Sequence, residues 1–208
     1  MAVEIALEQL GKRFRFEWIF RNLTARLQPG DRWAVLGPNG SGKSTLLKIL
    51  SGHLSPTKGR IHFFQHGQKT DPGAVYRQVA YAAPYIELIE EFTLDEILLF
   101  QARLKPFMPG LNPQSIPELI ELPGARHKSL KYFSSGMKQR VRLALAICSD
   151  TPVLLLDEPS TNLDKAAAAW FHALLDRYAE GRLVVIATNE QADVEACRQF
   201  LDIRTYKT

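Results

Sequence analysis

The sequence predicts an α/β fold: a largely parallel sheet covered by helices, with an N-terminal antiparallel β region and an inserted small helical subdomain. Three observations predict it. Residues Gly37, Pro38, Asn39, Gly40, Ser41, Gly42, Lys43, Ser44 and Thr45 match the pattern G-x-x-x-x-G-K-[ST], with an apolar run before them and helically spaced apolar residues after them. Further along, continuously apolar runs alternate with amphipathic stretches, the pattern of a sheet buried on both faces. Between residues 84 and 133 that rhythm stops, and Pro106, Pro109, Pro113, Pro117 and Pro123 cut the chain into short pieces.

Taken in order, Val3 to Glu8 alternates as an edge strand would, and Asn22 to Leu27 does the same before the turn Gln28-Pro29-Gly30-Asp31. Trp33 to Leu36 reads as a buried strand entering the glycine-rich loop, and Thr45 to Ser51 as the helix leaving it. Arg60 to Gln65 is a further strand and Val79 to Ala82 a short buried one. Thr93, with Glu96 three residues on, marks a capped helix start leading into Ile97 to Leu104. A helix is expected from about Gly136 to Ser149, a strand over Val153 to Leu156, a helix from about Asp164 to Tyr178 and a strand over Leu183 to Ala187, followed by a short tail.

The 208 residues, 46% hydrophobic and 23% charged, suit one domain rather than two. The expected division is a core lobe of 1–83 and 134–208 with a helical subdomain of 84–133. No run approaches about 18 apolar residues, and acids near the N-terminus are unlike a secretory signal, so a cytoplasmic location is expected. Cys148 and Cys197 form no C-x-x-C pair and sit in apolar helical surroundings, where a small buried thiol is the expected role. The net charge of +4 raises nucleic acid as a partner, but the basic residues are scattered rather than striped.

The chemistry concentrates at two places. In the loop 37–45, glycines let backbone N–H groups turn around a phosphate chain, and the helix start contributes roughly half a positive charge. Lys43 has the reach for the β- and γ-phosphates, and the Ser44 hydroxyl can ligate Mg²⁺. The second place is Asp157-Glu158 at the end of the apolar strand, the edge at which open α/β sheets bind ligands. Asp157 can bind Mg²⁺ while Glu158 aligns and deprotonates a water. A plain helix-start pair would carry the same two acids; the phosphate loop favours the catalytic reading. The long span from Lys43 to Asp157 is too great for a compact switch GTPase and leaves room for the inserted lobe.

Ahead of Asp157, Phe133-Ser134-Ser135-Gly136-Met137 runs into an amphipathic helix, and Ser160 to Asp164 follows Pro159 directly. At these residues the chain resembles the ATP-binding subunits of ABC transporters over essentially its whole length, a P-loop NTPase with an ABC-type core. Phe133 to Met137 stands where that family has its Leu-Ser-Gly-Gly-Gln signature, and Ser160 to Asp164 looks like its D-loop. The resemblance implies a head-to-tail dimer with a second copy, two ATP molecules between the subunits, and Ser134, Ser135 and Gly136 completing the partner's site. It also implies transmembrane permease subunits as partners, attachment to the cytoplasmic face of a membrane, and ATP hydrolysis that drives transport. A serine and glycine at a helix start also form an ordinary cap. The resemblance further implies that adenine stacks on an aromatic residue near the amino end, a register that Phe14 fits best, with Phe16 and Trp18 as substitutes, at roughly 1 to 3 kcal/mol; an aromatic buried between strands is the alternative for each of the three.

Two positions depart from that pattern. Pro84 occupies the register of the family's glutamine after the strand 79–82, with Glu87 the nearest polar candidate. Thr188-Asn189 stands where the family generally has Thr-His; Asn189 can donate an amide hydrogen to a γ-phosphate but cannot carry charge. None of His53, His62, His66, His127 or His172 replaces it. Loss of a positioned catalytic group costs about 10²- to 10⁴-fold in rate, so a slow or inactive nucleotide-dependent switch stands as the alternative function. A soluble ABC-type ATPase acting on nucleic acid is a further one, with no nucleic acid expected as partner under the first reading. The short length resembles the heme-exporter type of subunit; cargo and the direction of transport stay open.

Overall fold

The structure, a computed structural model, describes residues 2–207. Strands β1 (Val3–Phe14) and β2 (Glu17–Leu27) pair antiparallel. The 28–31 turn is closed by Asp31 N–H donating to the Gln28 carbonyl at 3.1 Å, and β3 (Arg32–Leu36) then feeds the glycine-rich loop and α1 (Lys43–Leu50). β4 (Lys58–Gln65) returns antiparallel to β1 and β5 (Gln68–Lys69) extends that sheet. After α2 (Val75–Gln78) and β6 (Val79–Ala82) come α3 (Leu94–Leu104), α4 (Ile116–Leu119) and α5 (Ser135–Ile147). The chain ends through β7 (Val153–Asp157), α6 (Lys165–Tyr178), β8 (Leu183–Ala187), α7 (Gln191–Glu195) and β9 (Gln199–Asp202).

The strand order is β2-β1-β4-β5 in the antiparallel sheet and β6-β7-β8-β3-β9 in the second, whose β3, β7, β8 and β9 run parallel. β7 and β8 are buried at every position, as their unbroken apolar runs require. One apolar core draws on both sheets and on α1, where Leu46, Leu47, Ile49 and Leu50 are each 1% exposed or less. Burying a side chain of that size is worth about 1.5–3 kcal/mol. An eight-residue helix is marginal on propensity alone, so this burial holds α1 in place.

Two expectations change. β1 is not an edge strand: it lies between β2 and β4. Alternation reports one covered and one wetter face, which a central strand can share with an edge strand. β1 is also irregular, with a register shift between Glu8 and Gly11 on its β4 side and Gln9 at φ 47°. Opposite that bulge, Gly59 has φ +78°, and a Cβ there would lie 2.3 Å from the Gln9 carbonyl oxygen, so only glycine fits. The second change is the tail, which contains α7 and β9; only Leu201 of β9 is buried, too little for a periodic signal.

By contact, the chain forms two compact units. One holds residues up to Tyr81, Thr151–Glu158 and the chain from Ala179 onward; the other holds Ala82–Asp150 and Pro159–Tyr178. This grouping places α5 and α6 with the helices of the insertion, whereas the sequence-based division follows connectivity. Within the second unit, Thr93 caps α3 reciprocally: its hydroxyl accepts from Glu96 N–H at 3.3 Å while the Glu96 carboxylate accepts from Thr93 N–H at 2.7 Å.

Candidate functional site

Parallel register brings the chemistry of the first unit to one edge. Ala187 on β8 lies opposite both Val35 of β3 and Asp157 of β7, so the residues following those three strand ends share one pole of the sheet. They are the loop from Gly37, the acid Glu158, and Thr188-Asn189. The Glu158 N–H donates to the Ala187 carbonyl at 2.7 Å, and this bond holds Glu158 at φ 46°. A non-glycine residue in that region stores about 1–3 kcal/mol of strain, a feature that gathers at functional sites.

The glycine-rich loop borders a cleft of ≈ 310 Å³ lined by Ile19, residues 38–45 and Glu158. Gly42 sits at φ +111°, where a Cβ would lie 2.5 Å from Ile19 Cγ2. It is the N-cap of α1 and supplies no side-chain cap. The first helical bond runs from Leu46 N–H to the Gly42 carbonyl at 2.9 Å, which leaves the amides of Lys43, Ser44 and Thr45 without an intrahelical acceptor. Ser41 Oγ is buried and has no hydrogen-bond partner among the described residues. Open amides, an unsatisfied hydroxyl and a left-handed glycine make a cradle that fits a phosphate chain.

Lys43 is only 5% exposed, and its ammonium meets two fixed partners and, in one orientation of the Asn189 amide, a third. Nζ donates to the Gly37 carbonyl at 2.8 Å and lies 3.2 Å from Glu158 Oε1. Asn189 provides the third partner. With its amide turned to satisfy both ends, the oxygen accepts from Lys43 Nζ at 3.1 Å and the nitrogen donates to the Gly37 carbonyl at 2.7 Å. In the other orientation the nitrogen reaches Asn39 Oδ1 at 2.9 Å and Glu158 Oε1 at 3.4 Å. Asp157 is 1% exposed at the end of β7.

The support beneath Asn189 escaped the sequence reading. Thr188 Oγ1 donates to Asp193 Oδ2 at 2.8 Å and accepts from Glu190 N–H at 3.0 Å, with Thr188 and Asp193 fully buried. This ties the turn carrying Asn189 to α7, and an uncapped five-residue helix leaves no sequence signal. Ile19 was also missed; its place beside Gly42 comes from β2 passing the loop rather than from any motif.

The aromatic candidates lie apart from the cleft lining. Phe14 is 47% exposed with Lys12 Nζ 5.0 Å from its ring, Phe16 is almost wholly exposed, and Trp18 carries the Arg13 guanidinium at 5.4 Å. In the second unit, Ser134 is the N-cap of α5, its hydroxyl accepting from Met137 N–H at 3.2 Å, with Ser135 and Gly136 in the first turn. Pro84 and Glu87 are both exposed on the loop after β6. Among the described residues no histidine lines the cleft. Among the described residues no helix is long and apolar enough to cross a membrane.

The family model described as ABC transporter matches residues 20–161. The cytochrome c biogenesis ATP-binding export protein CcmA of Agrobacterium fabrum is 30% identical over 204 residues, 95% of this chain and 94% of that protein. The Nod factor export ATP-binding protein I of Burkholderia pseudomallei is 31% identical over 92% of this chain, which there spans 64% of the relative's length. A solved ATP-binding subunit of an ABC transporter superposes with a TM-score of 0.80 at 26% identity, covering 94% of this chain and 84% of that one. The dimeric ATP-binding cassette MJ0796 bound to ADP and Pi reaches 0.81 at 22% identity, covering 96% of this chain and 94% of that one, a likeness of fold alone.

Proposed function

Because this chain belongs to the ATP-binding subunits of ABC transporters, we propose that it binds Mg·ATP at residues 37–45 and hydrolyses it to ADP and phosphate. The observation that carries this reading is the convergence of Glu158 and Asn189 on Lys43 at the glycine-rich loop. Backbone amides of Gly40 to Thr45 and the Lys43 ammonium hold the phosphates. Among the described residues no three His, Cys, Asp or Glu side chains form a metal site on their own, so Ser44 and Asp157 would hold Mg²⁺ together with phosphate oxygens. The ion supplies charge neutralisation on the triphosphate.

Glu158 then accepts a proton from the attacking water, and Asn189 donates an N–H to the transferring phosphoryl group. Glu158 is paired with Lys43; phosphate oxygens held by Lys43 compete for that ammonium and leave the carboxylate free for the water. Ser134, Ser135 and Gly136 meet the nucleotide of a second copy in a head-to-tail dimer, and transmembrane permease subunits couple closure of the dimer to transport on the cytoplasmic face. Phe14 stacks on adenine. Scattered basic residues argue against nucleic acid as the partner.

Replacing Glu158 by Gln tests the assignment. Fluorescent-nucleotide binding is expected to stay intact, single-turnover hydrolysis to disappear, and an ATP-bound dimer to accumulate in gel filtration; unchanged turnover removes Glu158 as the base. Pro84, which has no amide side chain to offer, favours the second reading of a nucleotide-dependent switch with slow hydrolysis. ATP that stays bound and uncleaved in the wild-type chain with its membrane partner present selects the switch.

A further inference from the structure

A polar chain, buried at one end and half-buried at the other, is built on α5 in the second unit. Gln139 is 4% exposed, and its Nε2 donates to the Pro159 carbonyl at 2.7 Å. Three residues on, along the same helix face, Arg142 donates through one terminal guanidinium nitrogen to Gln139 Oε1 and through Nε to the Ile86 carbonyl at 2.9 Å. Both outer acceptors are main-chain carbonyls on loops. Ile86 lies in the Pro84–Glu87 segment, and Pro159 is the residue after Glu158.

The two side chains are not independent. A carboxamide has one acceptor end and one donor end, and here each end is occupied, so Gln139 cannot turn over without setting N–H against guanidinium. A buried amide is costly to leave unpaired. Removing Arg142 therefore loosens the Ile86 carbonyl directly and the Pro159 carbonyl through Gln139. The loop past Pro159 is already close to the head of α5: the Asn162 carbonyl oxygen lies 3.6 Å from where a Gly136 Cβ would be.

We propose that Arg142 and Gln139 are positioning residues, a relay that fixes the Pro84–Glu87 segment and the peptide following Glu158 to the same helix, so that displacement at one is carried to the other. Its catalytic consequence rests on the reading of Glu158 as the water-activating base. Neither side chain touches substrate in this scheme; each acts by holding backbone.

Hydrogen–deuterium exchange on the full chain tests the relay without requiring turnover. Arg142→Ala is expected to speed exchange at residues 86–88 and also at 160–162, which Arg142 does not touch. Arg142→Lys, a single ammonium without the guanidinium fork, is expected to protect one of the two segments and not both. The double variant Gln139→Met/Arg142→Met removes the side-chain amide and the guanidinium together, so neither side chain is left as a buried unpaired group and only the two loop carbonyls lose their donors; it is expected to show the coupled loosening as well. Faster exchange confined to 86–88, or spread evenly over the unit, overturns the relay.

In an active wild-type chain, Arg142→Ala is expected to slow single-turnover hydrolysis about tenfold with nucleotide affinity unchanged; an unchanged rate overturns the positioning role. Coupled exchange in a wild-type chain that hydrolyses nothing leaves the relay standing and removes the ATPase reading instead.

Discussion

Cys197 shows how far a residue's surroundings set its chemistry. Burial pushes its thiol up to about 11 from the ordinary value of 9.0, with Arg32 opposing and Asp193 reinforcing the shift. A raised folded value means that the neutral thiol favours the fold below pH 9, and that this contribution is lost as pH climbs from 9 towards 11. At pH 8 the thiolate fraction is about a hundredfold below that of an unfolded thiol. Cys148 is fully buried. Ellman titration at pH 8 is expected to label neither cysteine in the native chain and both in urea; rapid native labelling of Cys197 removes the burial argument. The same dependence on surroundings makes Glu158 and Asn189 informative as a pair: the acid is set by a backbone bond to Ala187, the amide by a buried hydroxyl–carboxylate contact one turn away.

At the level of elements, the capping box of α3 gives a prediction with a defined sign. Hydrogen bonds from the Thr93 amide and hydroxyl hold the Glu96 carboxyl below its ordinary value of 4.5. A lowered folded value stabilises above pH 4.5, and that contribution fades as pH falls through the folded value. Thr93→Ala is expected to cost about 1 kcal/mol at pH 7 and visibly less near pH 3, read from urea unfolding at both values; an equal cost at both pH values removes the charged partner from the box. This box was legible because its parts lie three residues apart. So were the glycine-rich loop and the unbroken strands β7 and β8. β9 and the central place of β1 were not, since pairing partners distant in sequence decide them: β3 for β9, and β4 as the second neighbour of β1. For the same reason the sequence offered Asn189 as a candidate while its contacts to Gly37 and Lys43 emerged only with the register of β3 against β8.

For the whole molecule, the proposed site and the stability of the fold draw on one sheet. β3 leads into the glycine-rich loop and is paired on one side by β8, with Asn189 just past its end, and on the other by β9. Unfolding is therefore expected to be coupled to nucleotide: a ligand present at a hundred times its dissociation constant adds about 2.7 kcal/mol, measurable as a rise in melting temperature that Lys43→Ala abolishes. The placement of β9 carries a separate consequence. A chain cut before Gln199 leaves the outer rim of β3 bare from Trp33 to Leu36, a row of unpaired donors and acceptors on a hydrophobic strand that can template growth by another chain. Such a truncation is expected to convert a dispersed protein into light-scattering aggregates, so that the last four-residue strand, which lines no part of the cleft, acts as the guard against self-association of the strand that leads into it.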